Sequence, residues 1–207
     1  MKKRNYITAI LSILWLTAVG LGIGKLLNYE KTPGVAAASP LWWPASSRVK
    51  RSLDRATLVM VAHPHCPCTR ASIGELARLM AMCQGRLSAT VLFFKPKGFP
   101  ADWEKTLLWR SAEEIPDVSV ICDEEGAEAI RFHAETSGQT LLYDKDGKLR
   151  FSGGITISRG HSGDNAGAAA IISLLNEGKT SQTESPVFGC QVLDTNSTCA
   201  EREKACH

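Results

Sequence analysis

Residues 56–63 read ATLVMVAH, a nearly unbroken apolar run of strand length. Such a run has no wet face, so it belongs in a strand covered on both sides, as in the parallel sheets of α/β proteins. The segments after it agree with that placement. Ile73, Leu76, Ala77 and Met80 recur at helical spacing, and Gly85 is a suitable stop. SATVLFFKP (88–96) predicts a second strand, PADWEKTLLWRSAEE (100–114) a helix opening at Pro100–Asp102, and VSVICD (118–123) a third strand. In the second helix Trp103, Leu107 and Arg110 are expected on one face. EEGAEAIRFHA (124–134) predicts a helix with acids in its first turn, where the macrodipole favours them. In QTLLYDKDGKLRFSGGI (139–155) two apolar runs flank DKDG, a hairpin signal. AGAAAIISLLNEG closes the series as a helix, capped by Asp164 or Asn165 and ended by Gly178. Alternation of this kind implies an α/β fold: a central mixed sheet with helices on both faces, its closing hairpin antiparallel.

The N-terminus sets a second constraint. Lys2, Lys3 and Arg4 precede a stretch, Ile7 to Gly24, without a charge, and Leu26 and Leu27 extend it. About 20 helical residues cross a hydrocarbon core of roughly 30 Å. The basic residues should stay in the cytoplasm, which puts the body of the chain on the far side. A cleaved signal peptide competes with an uncleaved anchor; both export the domain. The expected organisation is an anchor over 1–27, a linker over 28–53, an α/β domain over 54–178 and a cysteine-containing tail over 179–207. The linker holds three prolines and no helical period, and Trp42 and Trp43 could rest at a membrane interface or on the domain. Net charge is +3 with no run of five basic residues, so no nucleic-acid partner is expected.

Export changes how the seven cysteines read, because disulfides persist outside the cytosol. HPHCPC, residues 63–68, lies between the first strand and the helix it feeds. A helix N-terminus stabilises a thiolate through its free N–H groups and partial positive charge. Pro67 suits a first helical turn. Three chemistries fit the residues: a redox-active Cys66–Cys68 pair, a soft-metal site in which His63, His65, Cys66 and Cys68 hold Cu(I) or Zn(II), or an inert crosslink. His65 could also act as a cation that lowers the thiol pKa. His161, in the Gly-rich loop RGHSGDN, is a candidate for contacting a substrate or metal. Cys83 and Cys122 read as core thiols. Cys190, Cys199 and Cys206 read first as disulfides pinning the tail. A sharper reading docks Cys190, in VFGC, beside Cys66 as a resolving thiol.

Strand, cysteine pair, helix, and later a strand–turn–strand with D-x-D-G and a last helix resemble the thioredoxin superfamily over about residues 54–178. VMVAHPHCPCTRASIGELARLM and TSGQTLLYDKDGKLRFSGGIT carry the likeness. The chain is most similar to the membrane-tethered TlpA and ResA types. HPHCPC, SGGITISRGHSGDN and VFGC are similar to anchored RedB-like proteins. The resemblance implies a thioredoxin-like fold and thiol–disulfide oxidoreductase activity without a cofactor, copper being the alternative. Cys66 would attack and Cys68 resolve, with His65, Pro67, Gln139 and His161 lining or tuning the site. It implies protein thiols and disulfides as partners, with an apo-cytochrome or a copper protein under assembly as examples, and electrons from a membrane thiol reductant. The location implied is the bacterial inner membrane, single-pass, with the domain on the periplasmic side.

The sequence departs from that family at three points. The pair is C-x-C, not C-x-x-C; a disulfide across one residue closes a small, strained ring and should be labile. Gln139 stands where the family has a cis-proline, and a trans bond is expected there. Met60 stands where some members bury an acid, so that proton shuttle is absent or falls to another residue.

Overall fold

The computed structural model describes residues 2–192, with side chains from residue 5 onward. Cys199 and Cys206 lie outside the described residues. The chain divides into two compact units, Met1–Thr32 and Pro33–His207. The first is one helix, α1 (Lys2–Lys31), which runs four residues past the end of the expected anchor. Its stretch Asn5–Lys31 is long and apolar enough to cross a membrane.

The second unit runs β1 (Ala56–Ala62), α2 (Pro67–Met82), β2 (Leu87–Lys95), α3 (Leu107–Glu113), β3 (Val118–Glu124), α4 (Ala127–Arg131), β4 (Thr140–Tyr143), β5 (Leu149–Gly153) and α5 (Ala166–Glu177). Five strands form one sheet in the order β3-β2-β1-β4-β5. β1, β2 and β3 are parallel, while β4 is antiparallel to both β1 and β5. β1 lies at the centre, as its uniform apolarity requires. Leu58 and Met60 point into one core with Leu76, Phe93 and Ile171; Val59 and Val61 point into the other with Phe132, Leu141 and Tyr143. Helices α2, α3 and α5 contribute to the first core and α4 to the second. Met60, where a buried acid would sit in the resembled family, is fully buried among apolar side chains.

Two helices are shorter than expected. α3 starts at Leu107, where the Thr106 hydroxyl accepts from the Leu108 N–H. Residues 101–104 are turns instead, with Asp102 in the left-handed region at φ 65°. Trp103 therefore leaves the helix face expected of it, and Leu107 stays 73% exposed. α4 has five residues: both carboxylate oxygens of Asp123 accept from its first turn, from Glu128 N at 2.7 Å and Ala129 N at 2.9 Å, and His133 in the left-handed region at φ 51° follows its C-cap Phe132. The hairpin turns at DKDG as expected. There Asp144 Oδ1 accepts from Asp146 N and Lys148 N, and Gly147 takes φ 87°.

The segment expected as a tether is a strap on the domain from Gly34 to about residue 51. Leu149 N donates to Leu41 O at 2.9 Å and Trp43 N to Gly147 O at 2.8 Å. Trp43 packs edge-on against Phe132 and Tyr143, with centroids 5.1 and 5.2 Å apart, and Tyr143 donates its hydroxyl to Pro40 O. Val49 is buried, and Ser47 and Arg48 bond the buried Glu128 carboxylate. These residues lack a period because their partners are loop carbonyls and isolated side chains rather than a repeating ladder. The tail is likewise laid on the fold through residue 192: Ser185 N bonds Ser152 O, Val187 O accepts from Gly34 N, and Val192 N bonds Glu135 O.

Candidate functional site: three thiols at the start of α2

β1 ends at Ala62, and the chain turns through His63–Pro64–His65 before α2 begins at Pro67. The turn is fastened at its base. The Thr69 hydroxyl donates to His63 O at 2.8 Å and bonds the Ser137 hydroxyl at 2.9 Å, and His63 N donates to that same Ser137 oxygen at 3.0 Å. Cys66 is the N-cap of α2 in extended conformation, with Pro67 at the first helical position and Cys68 next. The helix start thus holds both cysteines of the C-x-C pair against the partial positive charge of 16 residues.

The tail brings a third thiol. Cys190 O accepts from Ser137 N at 2.8 Å, so the loop that fastens Cys66 also seats Cys190. Gly189 makes this approach possible: a Cβ there would collide with Ser137 O. Arg159 donates to Gly189 O from the other side. The result is a Cys66 Sγ to Cys190 Sγ separation of 2.7 Å, with the three sulfurs of Cys66, Cys68 and Cys190 all within 4.8 Å of one another. Cys66, Cys68 and Cys190 are free thiols. The expected pinning disulfide at Cys190 is thus replaced by the docking alternative.

Three thiols this close cannot titrate independently. Hydrogen bonds from Cys190 and then Cys68 to the ionised sulfur hold the Cys66 thiol well below its ordinary value of 9.0, against the opposing effect of burial. Cys190 moves the other way, because its hydrogen bonds to Cys66 and Cys68 favour the protonated form and burial adds to that. Cys68 is raised: its bond with Cys190 pulls it down, but the bond with Cys66, burial and the Cys66 charge outweigh that, with Arg159 opposing. Within the cluster the hydrogen bonding favours ionisation at Cys66 over Cys68 and Cys190.

The remaining candidates sit elsewhere. Gln139 is fully buried. Its amide oxygen accepts from Glu135 N at 3.0 Å, and its backbone O accepts from Val61 N, so it braces the 133–139 loop and lines no approach. Among the described residues all peptide bonds are trans. His65 is exposed and lies against Trp103, with ring centroids 4.5 Å apart and its Nε2 3.2 Å from Trp103 O. His63 stacks on Phe94, and its Nδ1 accepts from His65 N; burial lowers its pKa. Pro67 is exposed at the helix start. His161 bonds locally to Ser158 Oγ and Arg159 O. The metal set His63, His65, Cys66 and Cys68 is therefore not assembled; among the described residues the ligand-bearing cluster is Cys66, Cys68 and Cys190. Cys83 is buried in the first core, and burial followed by the charge of Glu104 pushes the half-buried Cys122 thiol up to about 11. Arg159 comes from the RGHSGDN loop that the sequence marks for contacts at the site, whereas Ser137 is a part that local pattern does not reveal.

This is a thioredoxin-like fold, with its cysteines where the first parallel strand meets its helix. No family model and no curated protein matches the chain. Among solved structures it is similar to an uncharacterised conserved protein of Geobacillus kaustophilus, with TM-score 0.57, 22% identity, and coverage of 81% of this chain and 95% of that one. It is also similar to the hypothetical protein SMc02350 of Sinorhizobium meliloti 1021, with TM-score 0.58, 20% identity, and coverage of 80% and 96%. A third is the exposed lipoprotein thioredoxin Etrx1 of Streptococcus pneumoniae strain TIGR4, with TM-score 0.45, 16% identity, and coverage of 68% and 99%. Identities this low speak to the fold and leave the activity to the site.

Proposed function

We propose that this chain is a membrane-anchored, exported thiol–disulfide oxidoreductase acting on protein cysteines, of the TlpA, ResA and RedB-like kind. α1 would be its single span in a bacterial inner membrane, with the domain on the periplasmic side. The observation that carries the reading is the thiolate-stabilising cluster: Cys66 at a helix N-cap with Cys190 at 2.7 Å and Cys68 beside it.

The chemistry is exchange through a mixed disulfide. The Cys66 thiolate attacks one sulfur of a partner disulfide. That S–S bond breaks, and the departing sulfur leaves as a thiolate and takes a proton from solvent. Cys190 then loses its proton to solvent and attacks Cys66 Sγ, releasing the second partner thiol. Two electrons have passed to the partner, and the chain holds a Cys66–Cys190 disulfide until a membrane thiol reductant returns them. The reverse sequence oxidises a partner dithiol. The family resemblance assigns the resolving step to Cys68. A disulfide there would close over one residue with strain, whereas Cys66 and Cys190 are 124 positions apart and already in contact. Cys68 remains a hydrogen-bond donor to the thiolate and a second acceptor for exchange. Cys66 is 3% exposed, so residues 189–192 must yield for a partner to reach it.

The test is redox titration of the full chain in detergent against glutathione buffers, with thiol trapping and mass mapping of the bridge. A reversible two-electron couple above about −230 mV, mapped to Cys66, supports the reading. Absence of any disulfide at Cys66 across the accessible range of poise overturns it.

A further inference from the structure

The same cluster has a second capacity that exchange does not require. We propose that, when reduced, Cys66, Cys68 and Cys190 form a three-sulfur site for a monovalent soft cation, Cu(I) in particular. It differs from the histidine-containing set that the sequence offers as an alternative.

The donor set argues for this ion. Thiolates select Cu(I) and Zn(II) over harder cations. Zinc in structural sites takes four ligands. Here the described residues supply three cysteine sulfurs within 4.8 Å of one another and no fourth side chain of a ligating type in the cluster. The rings of His63 and His65, close in sequence, are engaged with Phe94 and Trp103 instead. A three-ligand, sulfur-only set suits a soft monovalent ion better than zinc.

Geometry and surroundings agree. Sulfurs about 2.3 Å from a trigonal metal stand about 4 Å apart. The cluster lies within 4.8 Å, with one pair at 2.7 Å, so the main adjustment is a retreat of Cys190 by a little over an ångström. Cys190 sits on a non-helical tail anchored by backbone bonds and the Arg159–Gly189 contact, whereas Cys66 and Cys68 sit on the first turn of α2. Cys66 and Cys68 are buried and Cys190 half-buried, which keeps water from competing. The Arg159 charge, close enough to act on Cys68, opposes the excess negative charge of a thiolate-bound monovalent ion. Metal and disulfide then compete for the same sulfurs: the bridged form cannot bind, and the loaded form cannot attack.

The decisive experiment is anaerobic titration of the reduced full chain in detergent with Cu(I) against a chromogenic Cu(I) chelator, with X-ray absorption on the loaded protein. One equivalent bound, with three sulfur neighbours, is the expected result. Cys190→Ser and Cys66→Ser should each weaken binding by more than the roughly 10–100-fold that loss of an outer-shell partner costs. Replacing Cys83, Cys122, Cys199 and Cys206 together by Ser should leave stoichiometry and affinity unchanged. Disulfide formation with diamide should abolish binding, and re-reduction restore it, in protein whose circular dichroism is unaltered. The proposal is overturned if the chelator keeps the copper, if Cys190→Ser binds as tightly as the parent, or if absorption shows nitrogen or oxygen in place of the third sulfur. A parallel exchange assay on metal-free protein keeps the two ideas apart: exchange with no copper binding sinks only this proposal, and copper binding with no exchange sinks only the oxidoreductase reading.

Discussion

The two ends of α2 each carry a cysteine at the cap. At the N-cap, Cys66 has two S–H donors and the positive end of the helix, and its pKa falls well below 9.0. At the C-cap, Cys83 sits in the first core, and burial raises its pKa with only Arg86 opposing. One residue type on one helix gives a thiol biased toward ionisation at one pole and a core thiol biased against it at the other. Reactivity here comes from helix polarity and from which neighbours can donate a hydrogen, and burial alone predicts neither, since Cys66 is 3% exposed and Cys83 fully buried.

The sharpest way to break the comparison is to exchange the roles by mutation. Cys66→Ser should abolish disulfide exchange with a protein substrate, monitored by mixed-disulfide trapping. Cys83→Ser should leave the exchange rate unchanged while costing about 1–3 kcal/mol in denaturant unfolding, because a hydroxyl is left in an apolar core. Activity that survives the first substitution, or is lost with the second, would invert the assignment.

Gly189→Ala comes next in size. The added methyl runs into Ser137 O, so the tail must lift and carry Cys190 away. The expected outcome is a higher Cys66 pKa in the reduced protein, read from thiolate absorbance against pH, together with slower resolution of the mixed disulfide. An unchanged titration curve would mean that Cys190 does not set the Cys66 pKa.

The comparison sharpens further with pH. A group whose folded pKa is depressed contributes stability that is fully present above its unfolded value and lost as pH falls through the folded one. Cys66 therefore stabilises the reduced fold increasingly as pH rises toward 9.0. Cys190 and Cys83, both raised, stabilise it below 9.0 and lose that effect as pH climbs through their folded values. Alkylation of native protein at pH 6–7, the roughly neutral range where an ordinary thiol is protonated, should modify the α2 N-terminal cluster and spare Cys83. Labelling of Cys83 at a comparable rate would remove the contrast.

The smallest effect is expected from Arg159→Gln. Its charge lowers the Cys68 pKa and its guanidinium braces Gly189 O. Removal should push Cys68 higher and loosen Cys190, slowing exchange only severalfold. A loss as complete as that of Cys66→Ser would make Arg159 part of the exchange itself.

How much of this was legible in the sequence depends on the range of each interaction. β1 announces itself because being buried on two faces leaves no polar position, and the D-x-D-G turn because Asp144 and Gly147 satisfy it locally. The place of Cys66 and Cys68 at a helix start rests on the same local logic. The start of α3 does not: PAD reads as a first turn, but the chain turns there through Asp102 in the left-handed region and delays the helix to Thr106. The strap was opaque because its bonds reach residues about a hundred positions away, as when Tyr143 meets Pro40. Cys190 was visible as one of two readings, yet its choice depends on a glycine passing Ser137 O, a contact with no local signature.

The strap has a practical bearing. Gly34 N holds Val187 O at 2.8 Å, three residues before Cys190. Cutting the chain at residue 53, the natural choice for a soluble fragment, would keep the entire sheet and helices α2 to α5. It would also remove the backstop behind the third sulfur. Such a fragment would also bare Phe132, Tyr143 and the Glu128 carboxylate, so a redox or metal number measured on it would describe three thiols in altered surroundings.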